Sequence, residues 1–197
     1  KTLTKFEYDD KDTLFESTTF RALDNQGVIP ADFNDLKAAT RSITKYSGFE
    51  GEEKAVRTWN YNFAGQTIKS TTVFDYTNDT LTTSSTFRGQ SNALKISDVV
   101  LTDTPIRSTT LYSGFEGEEK AQRTFNYNYV GDKIKTTTLF HYTDDVLDKS
   151  ITYRGNVTQE ANLQGEVPSA PKRSVTLYSG YEGEEKAQIT YNFNYAG

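Results

Sequence analysis

The chain has 197 residues, no cysteine, no methionine and a formal net charge of −5, with 35% hydrophobic and 13% aromatic residues. Without cysteine, neither disulfides nor thiolate metal sites hold it together. Aromatics at this level argue against disorder, no apolar run reaches bilayer-spanning length, and cations scattered among acids argue against a nucleic-acid face.

A chain that opens on Lys1 and lacks Met reads as a processed product or an excerpt. Its organising feature is a stretch that recurs. Tyr46-Ser47-Gly48-Phe49-Glu50-Gly51-Glu52-Glu53-Lys54-Ala55 returns from Tyr112 and again from Tyr178, a period of 66 residues (112 − 46 and 178 − 112). A fixed period of this kind marks a repeat array. Three units are therefore expected, residues 1–65, 66–131 and 132–197, where length alone suggests one or two domains. A domain of such size buries only about 60% of its unfolded surface, so each unit is expected to lean on its neighbours. The first unit diverges: it is shorter before Phe6 and has an extra residue in Asp9-Asp10-Lys11-Asp12.

Four strands are predicted in each unit. The first places Ile68, Ser70, Thr72, Phe74 and Tyr76 on one face, a pattern repeated by Ile134, Phe140 and Tyr142. A turn at Thr77-Asn78-Asp79 follows, built from residues that bond their own backbone and tolerate left-handed geometry. The second strand runs Leu81 to Phe87, with counterparts Leu14 to Phe20 and Leu147 to Tyr153. The linker from Arg88 to Arg107 is the least repetitive part, and Pro30, Pro105, Pro168 and Pro171 all lie in such linkers. There, Val99-Val100-Leu101 is expected to form a short strand or cover a sheet edge, and Ala31 to Ala39 has the composition of a helical turn.

The third strand, Arg41 to Tyr46, leads through the Gly-aromatic-Glu-Gly-Glu hairpin into the fourth. On that fourth strand Trp59, Tyr61 and Phe63 alternate with polar residues, as do Phe125, Tyr127 and Tyr129, then Tyr191, Phe193 and Tyr195. This aromatic ladder is expected to face the core, because few aliphatic residues exist to replace it. The alternative is a surface that stacks sugar rings. An antiparallel sheet with one dry side follows from the alternation. Ala64-Gly65 and Val130-Gly131 then turn straight into the next unit, so strand pairing is expected to run across the unit boundaries.

The acidic hairpins offer carboxylates of the kind that hold calcium. Their plain reading is a solvated turn whose glycines supply positive φ. Asp9, Asp10 and Asp12, like Asp144, Asp145 and Asp148, form a second acidic edge with the same plain reading. His141 is the single histidine and has no repeat partner, so it builds neither a triad nor a zinc site. No carboxylate pair stands out from the others as an acid and base for hydrolysis. No catalytic residue, metal ligand or cofactor is expected, and the chain does not read as an enzyme. Asn78-Asp79-Thr80 and Asn156-Val157-Thr158 are acceptor triplets for N-linked sugar, at Asn78 and Asn156. The Thr/Ser runs offer O-linked sites but are equally ordinary strand surface.

Phe74-Asp75-Tyr76-Thr77-Asn78-Asp79-Thr80-Leu81 followed by Phe87-Arg88-Gly89 resembles the tyrosine-rich YD repeats of RHS-type cell-surface proteins. Phe140 to Leu147 with Tyr153-Arg154-Gly155 is a similar copy, and Phe6 to Arg21 a looser one. The match covers about a third of each unit and lacks the Gly-Arg pair that follows the YD tyrosine. The resemblance implies an extracellular, repetitive β-hairpin protein and carries over no catalytic residue.

The expected fold is all-β: three tandem four-stranded antiparallel units in an elongated array. Strand edges at both tips look uncapped, since Lys1 opens a strand and Gly197 stops where the next would start. The expected function is structural: an extracellular or cell-surface filament of copies joined end to end, with covalent glycans, no nucleic acid and no membrane insertion. The alternative is an adhesin stalk or carbohydrate-binding module that uses exposed aromatics.

Overall fold

The computed structural model describes residues 2–21, 39–99, 103–162, 164–167 and 169–194. Pro30, Pro168, Val100, Leu101, Tyr195 and residues 31–38 of the expected helical turn lie outside the described residues.

Twelve strands form one antiparallel sheet in chain order. They are β1 Thr2–Tyr8, β2 Leu14–Arg21, β3 Thr40–Ser47, β4 Lys54–Tyr61, β5 Ile68–Thr77 and β6 Thr80–Arg88. After these come β7 Ile106–Ser113, β8 Lys120–Tyr127, β9 Ile134–Thr143, β10 Val146–Arg154, β11 Lys172–Ser179 and β12 Lys186–Asn192. The all-β expectation holds: among the described residues the helical element is one short 3-10 turn, Ile96–Asp98. No helix among them is long and apolar enough to cross a membrane.

Local chemistry accounts for these elements. Threonines, valines and aromatics favour a pleated, half-buried surface. The tight turns are made by Asn78 and Asp79 (φ 49° and 65°) and by Asp144 and Asp145 (φ 49° and 66°). Two successive left-handed residues define the turn whose twist matches that of the flanking strands. Threonines then face one another across the sheet, with Oγ1–Oγ1 hydrogen bonds of 3.1 Å at Thr4–Thr19, 2.9 Å at Thr44–Thr58 and 3.0 Å at Thr72–Thr86. Three more join Thr110–Thr124, Thr138–Thr152 and Thr176–Thr190 at 2.8, 2.9 and 2.9 Å.

The chain gathers into two compact bodies, Lys1–Asp75 with Thr86–Thr104, and Tyr76–Ser85 with Pro105–Gly197. In the first, the buried apolar residues are Val73, Phe87 and Val99. In the second, Leu139, Ile151, Tyr153, Val157 and Val167 form the core, with Ala170 and Val175 against it. Cross-strand register builds that face: Arg123 opposes Leu139, Leu139 opposes Ile151, and Ile151 opposes Val175.

The core therefore differs from the expected one. The aromatic ladder does not supply it: Trp59, Tyr61, Phe125 and Tyr127 are half-buried, while Phe63, Tyr129, Tyr191 and Phe193 are exposed. Burial follows instead from what lies over each strand. The segment after β10 carries Val157 and Val167 into the core of the second body, and Val99, in the segment after β6, is buried.

Candidate functional site

The linkers are held down by side chains on the strands beneath them. In the first body, the Trp59 indole donates to the Ser91 carbonyl at 2.8 Å. Arg57 stacks 4.1 Å from the Trp59 ring centre and donates to the carbonyls of Asn92 and, at 3.1 Å, Ala93. Burial pushes the Arg57 pKa down, and these carbonyls and the indole face are what keep a guanidinium acceptable there. Thr71 Oγ1 donates to Gly89 O at 2.8 Å and accepts from the Ser91 N–H at 2.9 Å.

The second body repeats the clamp. Thr137 Oγ1 donates to Gly155 O at 2.8 Å and accepts the Val157 N–H at 3.0 Å. Arg123 donates to Thr158 O and Gln159 O at 3.1 and 3.0 Å. Tyr153 OH accepts the Val167 N–H at 2.8 Å, in a fully buried position. Farther along the linker, Gly165 lies against the His141 ring, whose Nδ1 is 2.8 Å from Asp148.

β12 is the exception. It pairs with β11 alone and is exposed along its whole length. Ile189 and Tyr191, the counterparts of Arg57 and Trp59 two periods on, are 44% and 51% exposed, and Phe193 is 37% exposed. No described linker crosses them. β1, at the other margin of the sheet, pairs with β2 alone and exposes Phe6 and Tyr8. Among the described residues, then, β1 and β12 each have one strand neighbour and carry exposed apolar side chains.

The acidic hairpins serve another purpose. The Glu53 carboxylate accepts the Leu14 N–H at 2.9 Å and the Gly51 N–H at 3.0 Å. Glu119 does the same for Leu81 and Gly117 at 2.9 and 3.1 Å, and Glu185 accepts from Leu147 at 3.1 Å. The backbone donors at Leu14 and Leu147 hold the Glu53 and Glu185 carboxyls below their ordinary pKa. Each of these glutamates thus ties its hairpin to the strand two places earlier. Among the described residues no three acidic, His or Cys side chains converge as a metal cage would require. At the hairpin tips Phe49, Phe115 and Tyr181 are each 82% exposed.

The second body has an open cleft of about 800 Å³ lined by Lys120, Arg123, His141, Asp145, Glu160 and Glu182. Lys120 binds Asp145 at 2.9 Å and Glu182 at 2.8 Å, which raise its pKa. Asp148 is pushed up by burial, but His141 and Thr143 outweigh this and leave its carboxyl low. Lys120, Asp145 and Glu182 are engaged with one another, Arg123 with backbone carbonyls and His141 with Asp148.

The glycosylation candidates Asn78 and Asn156 are both exposed, one on the β5–β6 turn and one just past β10. Sequence reasoning passed over Arg57, Arg123, Thr71 and Thr137 as anchors. A signal was there: the ladder carries Arg57 and Arg123 in two copies and Ile189 in the third.

No protein-family model matches the chain, and no curated protein matches it. A solved structure, that of a protein of unknown function from Bacteroides fragilis, aligns with 98% of this chain and 92% of its own at 10% identity and a TM-score of 0.20.

Proposed function

We propose that the chain is a structural protein of an extracellular or cell-surface filament, in which copies join end to end by strand addition. In this reading it is three tandem four-stranded units in an elongated array, without catalytic activity, carrying glycans at Asn78 and Asn156. The observation that carries the proposal is the open face of β12, where Ile189 and Tyr191 are exposed while their counterparts Arg57 and Trp59 lie beneath a linker. An exposed strand edge with apolar side chains recruits another strand unless something blunts it. β1 and β12 are different surfaces, so their union is head-to-tail, and a head-to-tail contact that does not close into a ring grows without limit. Sedimentation velocity over a wide concentration range tests this. Growing, polydisperse species are expected, and a single monomer boundary at every concentration would remove the proposal.

A second reading rests on the tip aromatics. Phe49, Phe115 and Tyr181, each 82% exposed beside carboxylates, suit an adhesin or carbohydrate-binding surface that stacks sugar rings. Glycan-array binding lost in Phe115→Ala with unchanged sedimentation would favour it.

A further inference from the structure

The seams inside the chain show what a strand like β12 accepts. β4 pairs with β5 so that Arg57 opposes Val73, Thr58 opposes Thr72 and Trp59 opposes Thr71. β8 pairs with β9 in the same way: Arg123 opposes Leu139, Thr124 opposes Thr138 and Phe125 opposes Thr137. β12 carries Ile189, Thr190 and Tyr191 at the corresponding places. β1 corresponds to β5 and β9, because Thr4 bonds Thr19 just as Thr72 bonds Thr86 and Thr138 bonds Thr152. Lys5 on β1 thus occupies the position of Val73 and Leu139.

At both internal seams, then, a cation on the earlier strand faces an aliphatic residue on the later one. Between β12 and β1 the two types are exchanged: the aliphatic Ile189 is on β12 and the cation Lys5 is on β1. The exchange keeps one cation and one aliphatic side chain in the pair. It also avoids two facing cations, which an Arg on β12 would have created and which would repel. Among the described residues neither strand has a second neighbour.

We propose that β12 of one copy pairs antiparallel with β1 of a second copy in the register of the internal seams, Ile189 opposite Lys5, Thr190 opposite Thr4 and Tyr191 opposite Leu3. This rests on the filament reading and adds to it the partner strand and the register. Register matters because a slip of one residue turns every side chain to the other face. It would move Ile189 and Tyr191 away from the side on which the internal seams place their aliphatic and aromatic residues.

The absence of cysteine makes the test direct. Two single-cysteine chains, Thr190→Cys and Thr4→Cys, are mixed and mildly oxidised, then compared with Thr190→Cys mixed with Leu3→Cys or Lys5→Cys. The double variant Thr124→Cys/Thr138→Cys, the internal counterpart, calibrates the yield of a correct register. Selective cross-linking of Thr190→Cys to Thr4→Cys is expected. Association without that selectivity would overturn the register and leave the filament reading standing; absence of any association would remove both. In a companion measurement, Ile189→Arg alone is expected to weaken association about fivefold by facing Lys5, and Lys5→Val in the same chain to restore it. Equal association of all three chains would contradict the proposed pair.

Discussion

The Trp59 indole Nε1 donates to the Ser91 carbonyl oxygen at 2.8 Å, and that bond joins a strand to the linker lying over it. Trp59 is the chain's single tryptophan, so its fluorescence reports on this contact. Trp59→Phe keeps a ring for Arg57 to stack on and loses the hydrogen bond, an expected cost of about 1 kcal/mol. Trp59→Ala also removes the ring and is expected to cost about 1 kcal/mol more from the lost cation–π contact. Urea unfolding followed by circular dichroism checks both. Stability of both variants equal to that of the unaltered chain would show that the linker is not held there.

Gly165 makes a sharper test of the second linker. Its φ is +69°, and a Cβ there would sit 2.4 Å from His141 Cδ2, whereas at Gly117 (φ +80°) nothing lies within 4 Å. Gly117→Ala is expected to cost only the left-handed penalty, about 1 kcal/mol. Gly165→Ala adds overpacking against a ring already fixed by Asp148, for about 3 kcal/mol in total. His141→Ala combined with Gly165→Ala relieves the clash, so the pair is expected to be non-additive by more than about 0.5 kcal/mol. Additive costs would mean that the ring and the linker are not in contact.

These two linkers mark the limit of what the sequence revealed. Alternation of Phe74 with Val73, or of Trp59 with Thr58, shows that a strand has two faces but not which one is covered. The segments 89–99, 155–162 and 164–167 have no period, so nothing in them announces that Val99, Val157 and Val167 are buried. A shortage of aliphatics points to the ladder as core, yet threonines such as Thr71 and Thr137 are fully buried because their hydroxyls are bonded to linker backbone. The hairpins were legible for the opposite reason. Asn78-Asp79, Asp144-Asp145 and the Gly-rich turns need special backbone geometry, and that need is written in residue type. The open face of β12 was legible only in part, through the change from Arg57 and Arg123 to Ile189.

The hairpin ties predict an acid-sensitive contact. Glu185 has its carboxyl lowered from an ordinary 4.5, first by the Leu147 N–H. A carboxyl with a depressed folded pKa gives its stabilisation above the unfolded value and loses it as pH falls through the folded one. The Leu147 amide resonance is therefore expected to titrate with a midpoint below 4.5. Glu185→Gln, which keeps an acceptor but cannot titrate, is expected to abolish that midpoint. A Leu147 shift unchanged by Glu185→Gln would show that the carboxylate is not its acceptor.

Electron micrographs of the purified chain, after dilution and again after concentration, bear most directly on strand addition between copies. Unbranched fibres that lengthen with concentration, and that fail to form when Thr190→Pro removes a backbone donor from β12, are the expected result. Separate particles of one size at every concentration would contradict the account.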